Sequence, residues 1–146
     1  MNDAAAVTVR AATTDDAERF ATLLADEGYP AGPSDLASRI ERFSTAGSRV
    51  LAAEAAGEVI GFVALHVMSR FETDERFARI VALVVDPGVR ERGIGRQLMA
   101  EAERVARDDG AAFLEVTAGH HRPEARKLFE SLGYDAGLAA YLRKRP

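Results

Sequence analysis

The chain reads as a single α/β domain spanning residues 1–146. Three observations predict this class. Short runs rich in β-branched residues alternate with stretches whose apolar residues recur at helical spacing. Glycine or proline punctuates nearly every junction between them. The balance of 47% hydrophobic and 29% charged residues over 146 positions suits one globular unit. A chain of this size buries about 68–70% of its extended surface, enough for a core.

Val7-Thr-Val-Arg-Ala11 is a short strand. Thr13 and Asp16 form a capping pair for a helix whose Phe20, Leu23 and Leu24 lie at helical spacing. Gly28, Pro30, Gly32 and Pro33 break the chain. Ser34 then caps a second helix with Leu36, Ile40 and Phe43 on one face, and Gly47 ends it. Residues 50–54 and 58–69 read as a hairpin turning at Gly57, apolar enough to be buried on both faces. Residues 71–77 are polar and acidic and read as a loop.

Ile80-Val-Ala-Leu-Val-Val85 is the most strand-like run, stopped by Asp86-Pro87-Gly88. From Gly93 a helix runs to about Asp109, with Ile94, Leu98, Ala102 and Val105 on one stripe and Gly110 closing it. Residues 112–117 form another strand. Pro123 fits the first position of a helix lined by Ala125, Leu128, Phe129 and Leu132, which Gly133 ends. Tyr134 onward, then 138–143, read as a closing hairpin. The predicted order is β-α-α-β-β-β-α-β-α-β-β.

Composition excludes several chemistries. With no cysteine there are no disulfides, no thiolate metal ligands and no acyl-cysteine route. The three histidines are His66, His120 and His121; no His-x-x-x-His spacing occurs, so no metal site is expected. The net charge of −4 argues against nucleic acid as a partner. Residues 1–10 do not read as a signal peptide, and no apolar run approaches the ~20 residues of a membrane span, so a cytoplasmic protein is expected.

The chemically informative stretch is Val84-Val-Asp-Pro-Gly-Val-Arg-Glu-Arg-Gly-Ile-Gly-Arg96. A buried strand ends, a tight loop follows, and a helix begins within a glycine pair. Helix N-termini present unpaired N–H groups and the positive end of the macrodipole, and glycine lets a bulky anion approach them. That combination suits a pyrophosphate. It is neither a Walker loop nor a dinucleotide fingerprint, since Gly-Lys-Ser/Thr and a third glycine are both missing. The plain alternative is a strand–helix turn that needs glycine for packing alone.

Arg90-Glu-Arg-Gly93-Ile94-Gly95, following Leu83-Val84-Val85, resembles the Arg/Gln-x-x-Gly-x-Gly/Ala signature of the GCN5-related N-acetyltransferase (GNAT) family. Arg122-Pro-Glu-Ala125-Arg-Lys-Leu128-Phe129-Glu-Ser-Leu-Gly133-Tyr134 is similar to that family's second block, and Arg10-Ala-x-x-x-Asp-Asp16 to its opening. The resemblance covers nearly the whole chain. It implies a mixed, mostly antiparallel sheet splayed between its fourth and fifth strands, with about four helices. It implies acetyl-CoA as co-substrate and direct transfer of its acetyl group to a primary amine of a small molecule or peptide, with no metal. Pantetheine would lie against the backbone of Leu83, Val84 and Val85. The diphosphate would rest on the N–H groups of Arg90, Glu91, Arg92, Gly93, Ile94, Gly95 and Arg96, with arginine charge assisting. Arg122 stands at the family's cofactor-touching asparagine, and Phe129 would pack on pantetheine. An N–H of Val84 or Val85 would serve the oxyanion. Family members are often dimers, which makes a homodimer an expectation here.

Two departures from the pattern bear on mechanism. The usual acid is a tyrosine where this chain has Phe129, and the usual base is an acid near Val81 and Ala82, which cannot take a proton. Glu75, with Glu72 and Asp74, is the substitute base on the preceding loop; collectively that acidic rim would attract a cationic amine. His120, His121 and Tyr134 are the remaining candidates for proton transfer. His66 reads as a core histidine. These departures also support an alternative function, a non-catalytic acyl-CoA binding or sensing module.

Overall fold

The computed structural model describes residues 6–117, 123–138 and 141–146, with the side chains of Arg90 and Glu91 outside that description. The strands are β1 (Thr8–Ala11), β2 (Ser48–Ala55), β3 (Glu58–Ser69), β4 (Arg76–Val85) and β5 (Ala111–Val116). The helices are α1 (Ala17–Asp26), α2 (Pro33–Phe43), α3 (Ile94–Asp108) and α4 (Pro123–Ser131). Short 3-10 turns precede α1 at Thr14–Asp16 and α3 at Pro87–Arg92.

One sheet has the order β1-β2-β3-β4-β5. The first three pairings are antiparallel and β4 runs parallel to β5, so the sheet is mixed. The β4–β5 pairing runs from Arg76↔Ala111 to Ile80↔Val116, whereas β4 pairs with β3 up to Gly61↔Val85. The second half of β4 therefore extends past the end of its ladder with β5. This is the splay that the family resemblance implies.

Each face of the sheet carries a helical layer. Ile94, Leu98, Met99, Ala102 and Ala106 of α3, with Phe129 of α4, pack on Val63, Leu65, Ala78 and Ile80. Phe20 and Leu23 of α1, with Leu36 and Ile40 of α2, pack on Ala52, Val59, Phe62 and Val84. Phe20 and Phe62 stack with centroids 4.1 Å apart. Gly61 makes the approach of α3 possible, since a Cβ there would meet the Val84 carbonyl oxygen at 2.9 Å and Leu98 Cδ1 at 3.2 Å.

The register of β4 against β3 slips between Ala64↔Ala82 and Leu65↔Ile80, leaving Val81 as the extra residue. Such a bulge reverses which face the following side chains occupy. Ala78 and Ile80 face the α3 layer before it; Leu83 and Val85 face that layer after it, and Ala82 and Val84 turn to the α1–α2 layer. Val81 itself is exposed at 46%.

Several boundaries differ from the sequence reading. β4 begins at Arg76, taking in residues assigned to the acidic loop, because cross-strand pairing with Val67, Met68 and Ser69 overrides their polarity. α2 begins at Pro33 rather than after a Ser34 cap; Gly32 is its N-cap, and its N–H donates to Asp35 Oδ2 at 3.1 Å. Helix α2 stops at Phe43, ahead of Gly47. The closing hairpin is absent among the described residues: 134–138 and 141–146 form no strand, and β5 ends the sheet. In place of the strand expected at 138–143, Leu138 and Leu142 are left exposed at 82% and 94%.

Candidate functional site

The site is built on the end of β4, the turn after it and the start of α3. Asp86 fixes where the turn begins. Its N–H donates to the Ile60 carbonyl at 2.8 Å, and its carboxylate accepts from the Gly88 N–H at 2.9 Å. Arg19 of α1 donates to the same carboxylate and to the Val59 carbonyl at 2.8 Å. The turn is thus tied to both β3 and α1 before it reaches the glycines.

The two glycines do different work. Gly93 is the N-cap of α3 with φ +76°, a left-handed conformation that glycine adopts without penalty. A Cβ there would have nothing within 4 Å among the described residues, so the backbone is open above it. No side chain caps this helix start among the described residues. The first intrahelical bond runs from the Gln97 N–H to the Gly93 carbonyl at 3.0 Å. The N–H groups of Ile94, Gly95 and Arg96 precede that bond and have no intrahelical acceptor. Gly95, by contrast, is a packing glycine. A Cβ on it would stand 3.0 Å from Leu128 Cδ2, 3.8 Å from Val85 Cγ2 and 4.0 Å from Leu83 Cδ2. Packing thus accounts for Gly95, and backbone conformation for Gly93.

These residues fit a diphosphate: the N-terminus of a 15-residue helix that no described side chain caps, a left-handed glycine open among the described residues, and basic residues in the turn. Arg92 is exposed, whereas an Nη of Arg96 donates to Ser131 Oγ at 2.8 Å and braces α4 against α3. Arg90 and Glu91 lie in the turn by backbone, with side chains outside the described set. Phe129 is 6% exposed in the core beside Leu128, and its ring meets Tyr134 edge-on with centroids 6.0 Å apart.

The proton-transfer candidates among the described residues, Glu75 and Tyr134, lie apart. Glu75 directly precedes β4, six residues from Val81 and so about 20 Å away along the strand. An Nη of Arg70 lies 3.5 Å from Glu75 Oε1, and another lies 3.6 Å from Glu72, so the acidic rim is partly neutralised by a neighbour the sequence reading left out. Tyr134 donates its hydroxyl to Glu103 of α3 at 2.8 Å. Burial, and then that carboxylate, push the phenol well above its ordinary pKa. His120, His121 and Arg122 lie outside the described residues. No group of three or more metal-ligating side chains occurs among the described residues, and no described helix is long and apolar enough to cross a membrane.

A polar row crosses the sheet just before it opens. Ser48, His66, Arg79 and Glu115 are successive cross-strand partners on β2, β3, β4 and β5. Ser48 Oγ and His66 Nδ1 are 2.9 Å apart, and Phe43 of α2 stacks on the imidazole at 4.6 Å. An Nη of Arg79 donates to Glu115 Oε1 at 2.7 Å. His66 is thus a partnered histidine, half-buried rather than enclosed in the core. The sequence reading missed Arg79 and Glu115 because a lone charge in a strand carries no signal until register brings its partner alongside.

Comparison with known proteins finds acetyltransferases both by sequence and by fold. Over 101 residues the chain is 35% identical to an uncharacterized N-acetyltransferase, YhfO, of Bacillus subtilis (strain 168), covering 68% of each protein. Over 78 residues it is 36% identical to the aminoalkylphosphonate N-acetyltransferase of Salmonella typhimurium, covering 53% of this chain and about half (51%) of that enzyme. Among solved structures, an aminoglycoside N-acetyltransferase, AAC(6')-Iy, in complex with CoA superposes with a TM-score of 0.83 at 19% identity, covering 100% of this chain and 99% of that one, and shares its fold. The model of the acetyltransferase (GNAT) family matches residues 12–134, from before α1 through the glycine turn to Tyr134, and the chain belongs to that family of acetyltransferases.

Proposed function

We propose that the protein transfers the acetyl group of acetyl-CoA to a primary amine of a small molecule or peptide. The observation that carries this reading is the start of α3 at a left-handed Gly93 that no described side chain caps or covers, set where β4 outruns β5. Acetyl-CoA supplies an activated thioester to that cleft. The N–H groups of the turn and of Ile94, Gly95 and Arg96 hold its diphosphate, with Arg92 adding charge. Leu83, Val84 and Val85 offer main chain to pantetheine, Phe129 supports it from the α4 side, and Arg122, the residue before Pro123 in sequence, is a further cofactor contact. An N–H of Val84 or Val85 serves the carbonyl oxygen as charge develops on it.

An amine acceptor of ordinary pKa, about 10.4, is protonated near neutrality and must lose a proton before it attacks. The bond from Tyr134 to Glu103 and the pairing of Glu75 with Arg70 favour giving that task to His120 or His121, in the segment joining β5 to α4. Phe129 has no hydroxyl to donate, so the thiol departs as thiolate or takes its proton from water. The reaction passes through no acyl-enzyme cysteine, since the chain has none. The protein works in the cytoplasm, where acetyl-CoA is made.

The test is release of free thiol from acetyl-CoA with a panel of amines, beside calorimetry with CoA. Turnover above hydrolysis with one class of amine is expected. Binding without turnover on any amine would make the protein an acyl-CoA sensor instead, and silent calorimetry would remove the cofactor altogether.

A further inference from the structure

The pair formed by Arg79 and Glu115 stands one register step before Ile80↔Val116, where the β4–β5 ladder ends and the cleft begins. Aromatic residues surround it. Phe77 and Phe113 stack with centroids 5.4 Å apart, and Arg70 lies over the Phe113 ring at 5.5 Å. The Arg79 guanidinium lies 5.8 Å from the Phe77 centroid and 5.5 Å from that of Tyr141. On the neighbouring strand His66, stacked by Phe43, completes the surroundings.

Arg79 is incompletely satisfied. One Nη is bonded to Glu115, but the Nε–H is buried with no hydrogen-bond partner among the described residues. Burying a donor without a partner is unfavourable, and an orphan on a charged group calls for an explanation. The fork of Nε–H and a terminal N–H is the shape that takes a carboxylate or phosphonate through two parallel bonds. We propose that Arg79 and Glu115 are the acceptor-recognition pair, selecting small zwitterionic amines. Arg79 holds the oxyanion group of such a molecule and Glu115 receives its ammonium end.

The charges decide the class. A polyamine brought to this pair meets the Arg79 cation, and a plain dianion meets the Glu115 carboxylate. Only a molecule carrying both signs offers each member a replacement for what it gives up on separating. Tyr141, 56% exposed, lies over the guanidinium and is the ring an acceptor moves aside or stacks beside. An aminoalkylphosphonate has this chemistry, and so does an ω-amino carboxylate.

This inference rests on the acetyltransferase reading, and the experiment separates the two. Thiol release would be measured with an aminoalkylphosphonate, an ω-amino carboxylate, the alkylamine of equal length and the corresponding diamine. The two zwitterions are expected to exceed the others in kcat/KM by about 10-fold or more. Arg79→Gln should raise the KM for the zwitterions about 10- to 100-fold, the loss expected of a charge-assisted pair. The affinity for CoA by calorimetry should not change. Arg79→Lys keeps the charge, loses the fork and should fall between. It also serves if Arg79→Gln fails to fold. Equal or better turnover of the alkylamine or diamine, or an unchanged KM in the folded variants, would overturn the inference and leave the acetyltransferase reading standing. Failure of every amine would remove both.

Discussion

The hydroxyl of Tyr134 is bonded to Oε2 of Glu103 at 2.8 Å, across the junction between the end of α4 and the outer side of α3. This bond gives the tyrosine a structural task. Tyr134→Phe should lower stability by about 1.5–3 kcal/mol, the range for a hydrogen bond to a charged group. It should leave kcat within about twofold, well short of the 10²–10⁴ typical of a lost general acid. Thermal unfolding and thiol release on one preparation decide between the two roles.

The glycines of the turn should respond differently to alanine. At Gly93 the cost is conformational, about 1–2 kcal/mol for a left-handed residue, with no steric clash to relieve. The KM for acetyl-CoA should rise as the loop relaxes. At Gly95 the added methyl presses on Leu128 Cδ2, so Gly95→Ala should be partly rescued by Leu128→Ala, whereas Gly93→Ala should not. A double-mutant cycle followed by melting would show coupling for the first pair alone.

Asp86→Ala should damage cofactor affinity without touching the acceptor. It removes the acceptor that holds the Gly88 N–H and the carboxylate that holds Arg19. A cap of this kind is worth about 1 kcal/mol, so the KM for acetyl-CoA should rise about fivefold. Steady-state kinetics with each substrate varied in turn measures the split.

Acid should weaken the fold through Asp16. Its carboxylate is 8% exposed, accepts from both Arg10 terminal nitrogens at 2.9 Å and takes the Thr13 N–H at 2.9 Å. The Arg10 bonds, opposed by burial, hold its pKa below the usual carboxylate value. A depressed carboxyl contributes stability that is whole above the unfolded pKa of about 3.9 and is lost as pH falls through the folded value. Asp16→Asn should therefore cost about 1–3 kcal/mol at pH 7, with the gap from the parent closing below about pH 4. Urea midpoints at pH 7 and pH 3 measure both.

The histidines of the β5–α4 segment carry the proposed proton transfer. Replacing the effective one of His120 and His121 by alanine should lower kcat about 10²–10⁴-fold and remove the acidic limb of the pH–rate profile. Calorimetry with CoA should be unaffected. If both variants keep the parent profile, the proton leaves by another route.

The order of elements through α4 was legible because each has a local cause. Leu36, Ile40 and Phe43 mark a helix face, Gly57 a turn, and Asp86-Pro87-Gly88 a stop. The glycine turn was legible as a motif, but not that Gly93 and Gly95 serve separate ends, since Leu128 arrives from 33 positions away in the chain. The bulge at Val81 was not legible, because strand propensity records no register. The row from Ser48 to Glu115 was not legible either, since four strands contribute one residue each. The segment 138–143 shows the opposite failure: its apolar run resembles a strand, but no described strand accepts it.

Val81 divides β4 into two segments in opposite phase. Upstream, Phe77 and Arg79 look onto the face where an acceptor would be chosen; downstream, Leu83 and Val85 look toward the helix that begins at Ile94. If the proposed roles hold, one inserted residue insulates the two jobs, so the upstream half could be rewritten for a new amine while the downstream half kept its cofactor. Drawing Val81 into regular pairing, rather than leaving it bulged, would be what turns Ala82 and Val84 toward α3, and it would swing Leu83 and Val85 away from that helix.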